Sequence, residues 1–214
     1  MTIQEDLEPL QVALLPEQFE RLTRFERLVR TYGRRVGLVS PRDLGDIAAL
    51  RNRHTIDSLR AVRALRGDER LAADLGSGAG FPGIPLAIST PDCRFVLCEP
   101  RRRRVGFLEL AQERLELGNV EVFPGRAEDL PEGTFDLCTA RAFGSLGRSW
   151  RTAYPALSPG GRLVYFGGAS LRDPEDAARS LPGPRPGSVS TLRVLATSPP
   201  LVIMAREVNS HGDP

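Results

Sequence analysis

From Glu17 onward the apolar positions Phe19, Leu22, Phe25 or Leu28, Val29 and Tyr32 recur at helical spacing, with arginines and glutamates between them. That pattern predicts an amphipathic helix whose apolar face must be covered by another layer. The stretch from Gly33 to Arg42 holds two glycines and Pro41 and breaks the period. A second helix is predicted from about Leu44 to Leu65, carrying Ile47, Leu50, Ile56, Leu59, Val62 and Leu65. Residues 1–16 are only loosely patterned, and Gly67 to Arg70 read as a joint.

From Leu71 the period changes to short apolar runs alternating with helical segments. Strands are predicted at Leu71 to Leu75, Arg94 to Cys98, Val120 to Phe123, Phe135 to Thr139 and Arg162 to Phe166. Helices are predicted at Ile84 to Ser89, about Arg102 to Leu117, and Ser145 to Leu157. Repeated strand–helix units of this length imply parallel strands with right-handed crossovers. Beyond them, Arg172 to Leu181 is helical in pattern. Leu192 to Ala196 and Leu201 to Arg206 read as a closing antiparallel pair at the sheet edge, separated by Ser198-Pro199-Pro200. The expected fold class is α/β, a Rossmann-like seven-strand mixed sheet with an N-terminal helical extension. The expected organisation is an extension at 1–66 packing on the sheet, a ligand-binding sheet domain at 67–208 and a tail at 209–214.

Composition changes this picture little. With 41% hydrophobic and 26% charged residues over 214 positions, the chain suits one α/β domain with its own core. No apolar run reaches the roughly 18 residues of a membrane span, and the start, with Glu5, Asp6 and Glu8, lacks a signal-peptide pattern. A cytoplasmic location without membrane attachment is therefore expected. Cys93, Cys98 and Cys138 form no C-x-x-C pair and read as buried structural thiols, with no metal site. All 29 basic residues are arginine, and the net charge of +2 is too small to point to nucleic acid by itself.

The candidate chemistry centres on Asp74-Leu75-Gly76-Ser77-Gly78-Ala79-Gly80-Phe81-Pro82-Gly83, where a strand ends in a glycine loop before a helix. Gly78, Gly80 and Gly83 also satisfy a Gly-x-Gly-x-x-Gly fingerprint, so the glycines alone leave two nucleotide classes open. Asp74 turns the reading towards S-adenosylmethionine (SAM), which has no pyrophosphate but carries an amino-acid end that a carboxylate helps hold. In a sheet of this type ligands lie beyond the carboxyl ends of the strands. Glu99, after strand two, suits a pair of ribose hydroxyls; its other reading is a solvated residue opening the arginine run. After strand three come Arg126, Ala127 and Glu128, where a backbone amide or the Glu128 side chain meets an adenine edge. After strand four comes Arg141, directed at the methyl-transfer centre or held in a surface salt bridge. Arg101, Arg102, Arg103 and Arg104 gather at a helix N-terminus, where the macrodipole disfavours cations. Phosphate binding and a solvated charged face both account for them. His54 reads as a structural residue able to pair with Asp57 at i,i+3, and His211 sits in the polar tail.

His54-Thr55-Ile56-Asp57-Ser58-Leu59, the Asp74 to Ile88 segment, Gly125-Arg126-Ala127-Glu128, Arg141-Ala142-Phe143 and Pro159-Gly160-Gly161-Arg162 stand together in a recognisable order and spacing. In this the chain resembles the bacterial 16S ribosomal RNA guanine-N7 methyltransferases, also called glucose-inhibited division protein B or ribosomal RNA small subunit methyltransferase G. The resemblance covers about residues 20–168. It implies a class I SAM-dependent methyltransferase acting on 16S ribosomal RNA or the small ribosomal subunit. It also implies SAM contacts at Gly76, Phe81, Ala127, Glu128 and Arg141, with Glu99 on the ribose. The chain departs from the family in Gly37-Leu38-Val39, where the family has Asn-Leu-Thr, and in Gly167, where the family has a lysine. A family lysine in the second helix of the sheet domain falls on Arg103, and another on Gly106.

Guanine N7 presents an in-plane lone pair, so its methylation needs positioning more than a general base. The expected cofactor contacts are Asp74, Gly76, Gly78, Gly80, Phe81, Glu99, Ala127, Glu128 and Arg141. The candidate catalytic residues are Arg126 and Arg141. RNA contacts are expected at Arg101 to Arg104 and at His54, on a monomer with no metal. The alternative is a catalytically impaired SAM-binding relative acting as an RNA-binding or ribosome-assembly factor; a small-molecule methyltransferase is a weaker third.

Overall fold

The two faces of one sheet divide the apolar residues of the chain, and the helices follow that division. The structure, a computed structural model, describes residues 3–168, 171, 173–196 and 198–208. The expected 209–214 tail, with His211, and Arg172 at the start of an expected helix lie outside the described residues.

The chain opens with α1 (Ile3–Leu7) and a 3-10 turn, Glu8–Leu10, where the sequence shows only loose patterning. The long amphipathic helix is α2 (Pro16–Val36), ended by Gly37 at φ 71°. The expected second helix is broken into pieces: α3 (Pro41–Gly45), α4 (Ile47–Leu50), a π-helical turn (Arg51–Ile56), α5 (Asp57–Leu59) and a 3-10 turn (Arg60–Ala64). The break has a local cause, because the Asp46 carboxylate accepts from the amides of Ala48 and Ala49 at 2.9 and 3.2 Å and starts a new helix.

The sheet domain follows as β1 (Leu71–Leu75), α6 (Gly83–Ser89), β2 (Arg94–Cys98), α7 (Arg102–Arg114), β3 (Val120–Phe123), β4 (Phe135–Arg141), α8 (Leu146–Ala156), β5 (Leu157–Phe166), α9 (Pro174–Arg179), β6 (Ser188–Leu192) and β7 (Leu201–Ala205). Seven strands lie in the order β3-β2-β1-β4-β5-β7-β6. The first five are parallel, and β7 and β6 are antiparallel, so the mixed end is as expected. Two strands depart from expectation. β5 begins five residues early, at Leu157, because it continues through Pro159-Gly160-Gly161 with a register shift against β4. β6 lies four residues earlier than read, and β7 is inserted between it and β5.

Alternation along each strand sends neighbours to opposite faces. Ala72, Phe95, Leu97, Leu137 and Val164 join Leu22, Phe25 and Val29 of α2 and Ile84 and Phe107 of α6 and α7. Ala73, Val96, Cys98, Cys138 and Leu163 join Trp150 and Ala153 of α8 on the other face. Leu22, Phe25 and Val29 are fully buried, and each contributes about 1.5–3 kcal/mol by leaving water. The extension is thus a wall of the main core, and it overhangs the carboxyl ends of β1 and β4.

Candidate functional site

β1 ends at Leu75 and the loop behind it folds into a cradle because glycines permit what a side chain would not. At Gly76 (φ 70°) an added Cβ would lie 2.7 Å from the Phe143 ring, and at Gly83 it would lie 2.4 Å from Leu97 and 2.8 Å from Asp74. Asp74 is the brace of this loop. Its carboxylate accepts from the Thr139 hydroxyl at 2.8 Å and the Gly83 amide at 3.2 Å, tying β1 to β4 and to the start of α6. Only 1% of it is exposed, and burial pushes its pKa up to about 6 against the Thr139, Ser77 and Gly83 hydrogen bonds. Asp74 thus shapes the loop from behind, tying it to β1 and β4.

Glu99 follows β2 and is 3% exposed. One carboxylate oxygen accepts from the Gly78 amide at 3.0 Å and the other from the Arg101 amide at 2.9 Å. Each keeps a lone pair for a further donor. Arg104 reaches in from α7, with its guanidinium 3.8 Å from Glu99 and donating to the Gly37 carbonyl at 3.0 Å. Arg101, Arg102 and Arg103 remain exposed. Arg104 is thereby separated from its neighbours, as a strut between the glycine loop and the extension.

A cleft of about 250 Å³ opens above this loop, between Gly76, Ser77 and Gly78 on one side and Leu38, Val39 and His54 of the extension on the other. Arg141, the last residue of β4, closes it. Its Nε forms an ion pair with Asp57 at 3.1 Å, and one terminal nitrogen donates to the Arg53 carbonyl at 2.7 Å and to His54 Nδ1 at 3.1 Å. Its guanidinium carbon stands 5.9 Å from the Phe81 ring centre, and that ring also lies 5.1 Å from His54 and 4.9 Å from Phe25. An arginine only donates, so His54 Nδ1 must accept, and its Nε2 proton goes to Asp43 at 3.1 Å. Burial first, and then the Arg141 charge, lower the His54 pKa, so the ring is neutral. For Asp43, burial pushes upward, but the Ser40 hydroxyl, His54 and Arg53 reverse it and hold the carboxyl below its ordinary value.

The anticipated pairing of His54 with Asp57 along one helix is replaced by two bonds to Arg141, one from each. With both ring nitrogens engaged and the side chain 15% exposed, His54 is a scaffold for Arg141. Asp57 carries a second cation as well, accepting from Arg60 at 3.0 and 2.6 Å. Arg60 is 1% exposed and donates onward to the Pro199 carbonyl at 2.6 Å.

Arg126 does not join this group. It follows β3, three strands from β4, which separates its backbone from Arg141 by roughly 14 Å at ordinary strand spacing. Its side chain is exposed, and the structure does not bring it together with Arg141. Ala127 is buried, while the exposed Glu128 lies 3.9 Å from Arg148. Among the described residues no group of three or more His, Cys, Asp or Glu side chains is placed to hold a metal ion, and no helix is long and apolar enough to cross a membrane.

Sequence reasoning missed Asp57, Asp43 and Arg60 as the supports of Arg141, and it missed Ala142. The last has φ 54°, a left-handed conformation that a residue with a side chain seldom adopts. Chemically, the site offers a glycine cradle, a buried carboxylate with spare lone pairs and a fixed guanidinium. It offers no general base: His54 is engaged at both nitrogens and Asp74 is sealed.

A profile of the GidB family, described as rRNA small subunit methyltransferase G, matches residues 18–182. A protein from Aromatoleum aromaticum named ribosomal RNA small subunit methyltransferase G is 35% identical over 212 residues, covering 96% of this chain and 98% of that protein. One of the same name from Corynebacterium diphtheriae is 34% identical over 173 residues, 79% of this chain and 76% of that protein. Among solved structures, a methyltransferase from Pyrococcus furiosus superposes with a TM-score of 0.58 at 19% identity, over 72% of this chain and 83% of that one.

Proposed function

The chain belongs to the ribosomal RNA small subunit methyltransferase G family, and from that premise we propose that it transfers a methyl group from SAM to N7 of a guanine in 16S ribosomal RNA. The observation that carries the reading is the convergence of the glycine loop, Glu99 and a doubly anchored Arg141 at the carboxyl ends of β1, β2 and β4, with no free general base. That set suits an acceptor whose lone pair is available without proton removal.

The residues present fit SAM. The backbone cradle at Gly76 to Gly80 admits a ligand where side chains would fill the space, and Phe81 supplies an apolar wall. Glu99 has lone pairs left for two ribose hydroxyls. When bound, SAM supplies a methyl group on a positively charged sulfur. Arg141 keeps water out at the threshold and orients what approaches it, held by Asp57 from one side and His54 from the other. Ala127 and Glu128 stand at the end of β3, on the side where an adenine edge lies in this reading.

Arg101, Arg102 and Arg103 serve the RNA phosphates in this account, since their exposure at a helix N-terminus is otherwise unfavourable. The enzyme acts as a monomer in the cytoplasm, on the small subunit or its RNA. The test is mass spectrometry of small-subunit RNA from a strain lacking this protein. Loss of one 7-methylguanosine, restored by the wild-type chain, supports the proposal; RNA unchanged in every methylated nucleoside refutes it.

A further inference from the structure

Methyl transfer brings donor and acceptor to about 3–3.5 Å, so the acceptor must enter through a space continuous with the SAM cleft. One neighbouring cavity meets that requirement. A cleft of about 510 Å³ lies on the far side of Arg141, and Arg141 and Ala142 line both it and the 250 Å³ cleft. A third groove of about 470 Å³, between α2 and α7 at Tyr32, Arg35 and Arg103, shares no lining residue with the SAM cleft. Resting on the methyltransferase reading, we infer that the 510 Å³ cleft seats the acceptor guanine, unstacked from the RNA, with Arg53 at its mouth holding the phosphate of that nucleotide.

Four features of the cleft support this assignment. Its threshold residue, Ala142, is held at φ 54°, and backbone strain of this kind persists where surrounding structure enforces it for a purpose. Its roof is the π-helical turn Arg51–Ile56, an irregularity frequent at functional sites, which sets Asn52 and Arg53 over the opening. Its charged lining is one-sided. Arg53, Arg60 and Arg141 offer only donors, while the one carboxylate, Asp57, is bonded to Arg60 and Arg141. Donors suit the O6 acceptor of guanine, leave N7 with its lone pair free to attack, and oppose adenine, which presents its own N6 donor at the same edge.

Arg53 is the fourth feature. Its side chain is 51% exposed, and its contact with Asp43 at 3.1 Å leaves guanidinium donors facing solvent at the cleft mouth. The floor is closed at Gly167, where a Cβ would lie 3.2 Å from the Pro200 carbonyl and 3.4 Å from Leu171, and the Arg60–Pro199 hydrogen bond fixes the segment before β7 as the cleft's side.

The experiment has two arms; nucleotide and RNA binding are measured with S-adenosylhomocysteine filling the SAM cleft, and KM is measured with SAM. In the first, guanosine 5′-monophosphate and adenosine 5′-monophosphate are titrated against isotope-labelled protein. Saturable amide shifts at Ala142, Gly167 and Gly168, tighter for the guanine nucleotide by about fivefold or more, support the inference. Shifts absent there, or confined to the Tyr32–Arg103 groove, or equal for the two bases, overturn it. In the second, Arg53→Ala is compared with wild type for small-subunit RNA binding across salt concentrations. The inference expects SAM affinity unchanged, a KM for RNA raised about tenfold and a log–log salt slope smaller by about 0.7–0.9. An unchanged slope and KM overturn it. Methylation of RNA by the wild-type enzyme reports separately on the function itself, so either can fail while the other stands.

Discussion

Asp57 is the keystone of the active-site arginine, and replacing it with asparagine shows how much the arrangement depends on one charge. Its two oxygens separate Arg60, 1% exposed, from Arg141, 18% exposed. Asparagine keeps the shape but has one carbonyl for two guanidinium groups and turns an amide donor towards the other. Removing one partner of a buried ion pair typically destabilises by about 3–5 kcal/mol. Asp57 itself is 21% exposed, so water screens part of the loss and the lower end applies, about 2–3 kcal/mol. For a chain of this length that is a fall in Tm of roughly 4–12 °C. Activity should fall further than stability, because a displacement of Arg141 by about 1 Å is enough for a loss on the order of a hundredfold. Calorimetry gives Tm, and transfer of labelled methyl from SAM to small subunits, run below the variant's transition, gives kcat. If Asp57→Asn melts within about 2 °C of wild type and turns over normally, Arg141 is not held in the way described.

Other expectations follow from the same contacts. His54 should titrate below its ordinary pKa of 6.5 with the neutral ring's proton on Nε2, as read from ring nitrogen shifts; titration at or above 6.5 would contradict the Arg141 contact. Because its folded pKa is depressed, the stability linked to it is present above pH 6.5 and is lost as the pH falls through the folded value. Asp74 behaves with the opposite sign. Its pKa rises from 3.8 to about 6, so the associated stability, about 3 kcal/mol, is present below pH 4 and lost as the pH rises through 6. Denaturant unfolding of wild type and Asp74→Asn at pH 4 and pH 7 should show that difference, and a flat one would mean that the carboxyl titrates normally. Burial pushes Cys93 and Cys98 up to about 12 and Cys138 higher, so native enzyme at pH 7.5 should resist iodoacetamide, while unfolded enzyme takes up three labels.

The sequence carried β1, β2 and β3 to the residue: the apolar runs of β1 and β2 are buried on both faces, and the half-exposed edge strand β3 is bounded by Gly118-Asn119 and Pro124-Gly125. β6 was less legible for the opposite reason. It is an edge strand whose residues are half-buried or exposed, so the more apolar run that follows it in sequence drew the assignment four residues late. The stretch from Leu44 to Leu65 reads as one helical period, and the Asp46 cap and the π-helical turn divide it. At the site, the placement of Glu99 and Arg141 at one edge was legible because the carboxyl ends of parallel strands lie side by side. Arg126 stands apart from Arg141 because order along the chain is not order across the sheet: β3 follows β2 in sequence but lies at the far edge from β4. The supports of Arg141 were hidden because Asp43, Asp57 and Arg60 sit on separate short helices whose relative placement no local pattern encodes.

The most direct measurement is methyl transfer by the purified protein to small ribosomal subunits lacking the modification, with the RNA digested to nucleosides and analysed by mass spectrometry. The account predicts one 7-methylguanosine per RNA with wild type. With Arg141→Ala it predicts none, while circular dichroism shows the fold retained. A methyl group on any other nucleoside, or normal 7-methylguanosine formation by Arg141→Ala, would contradict it.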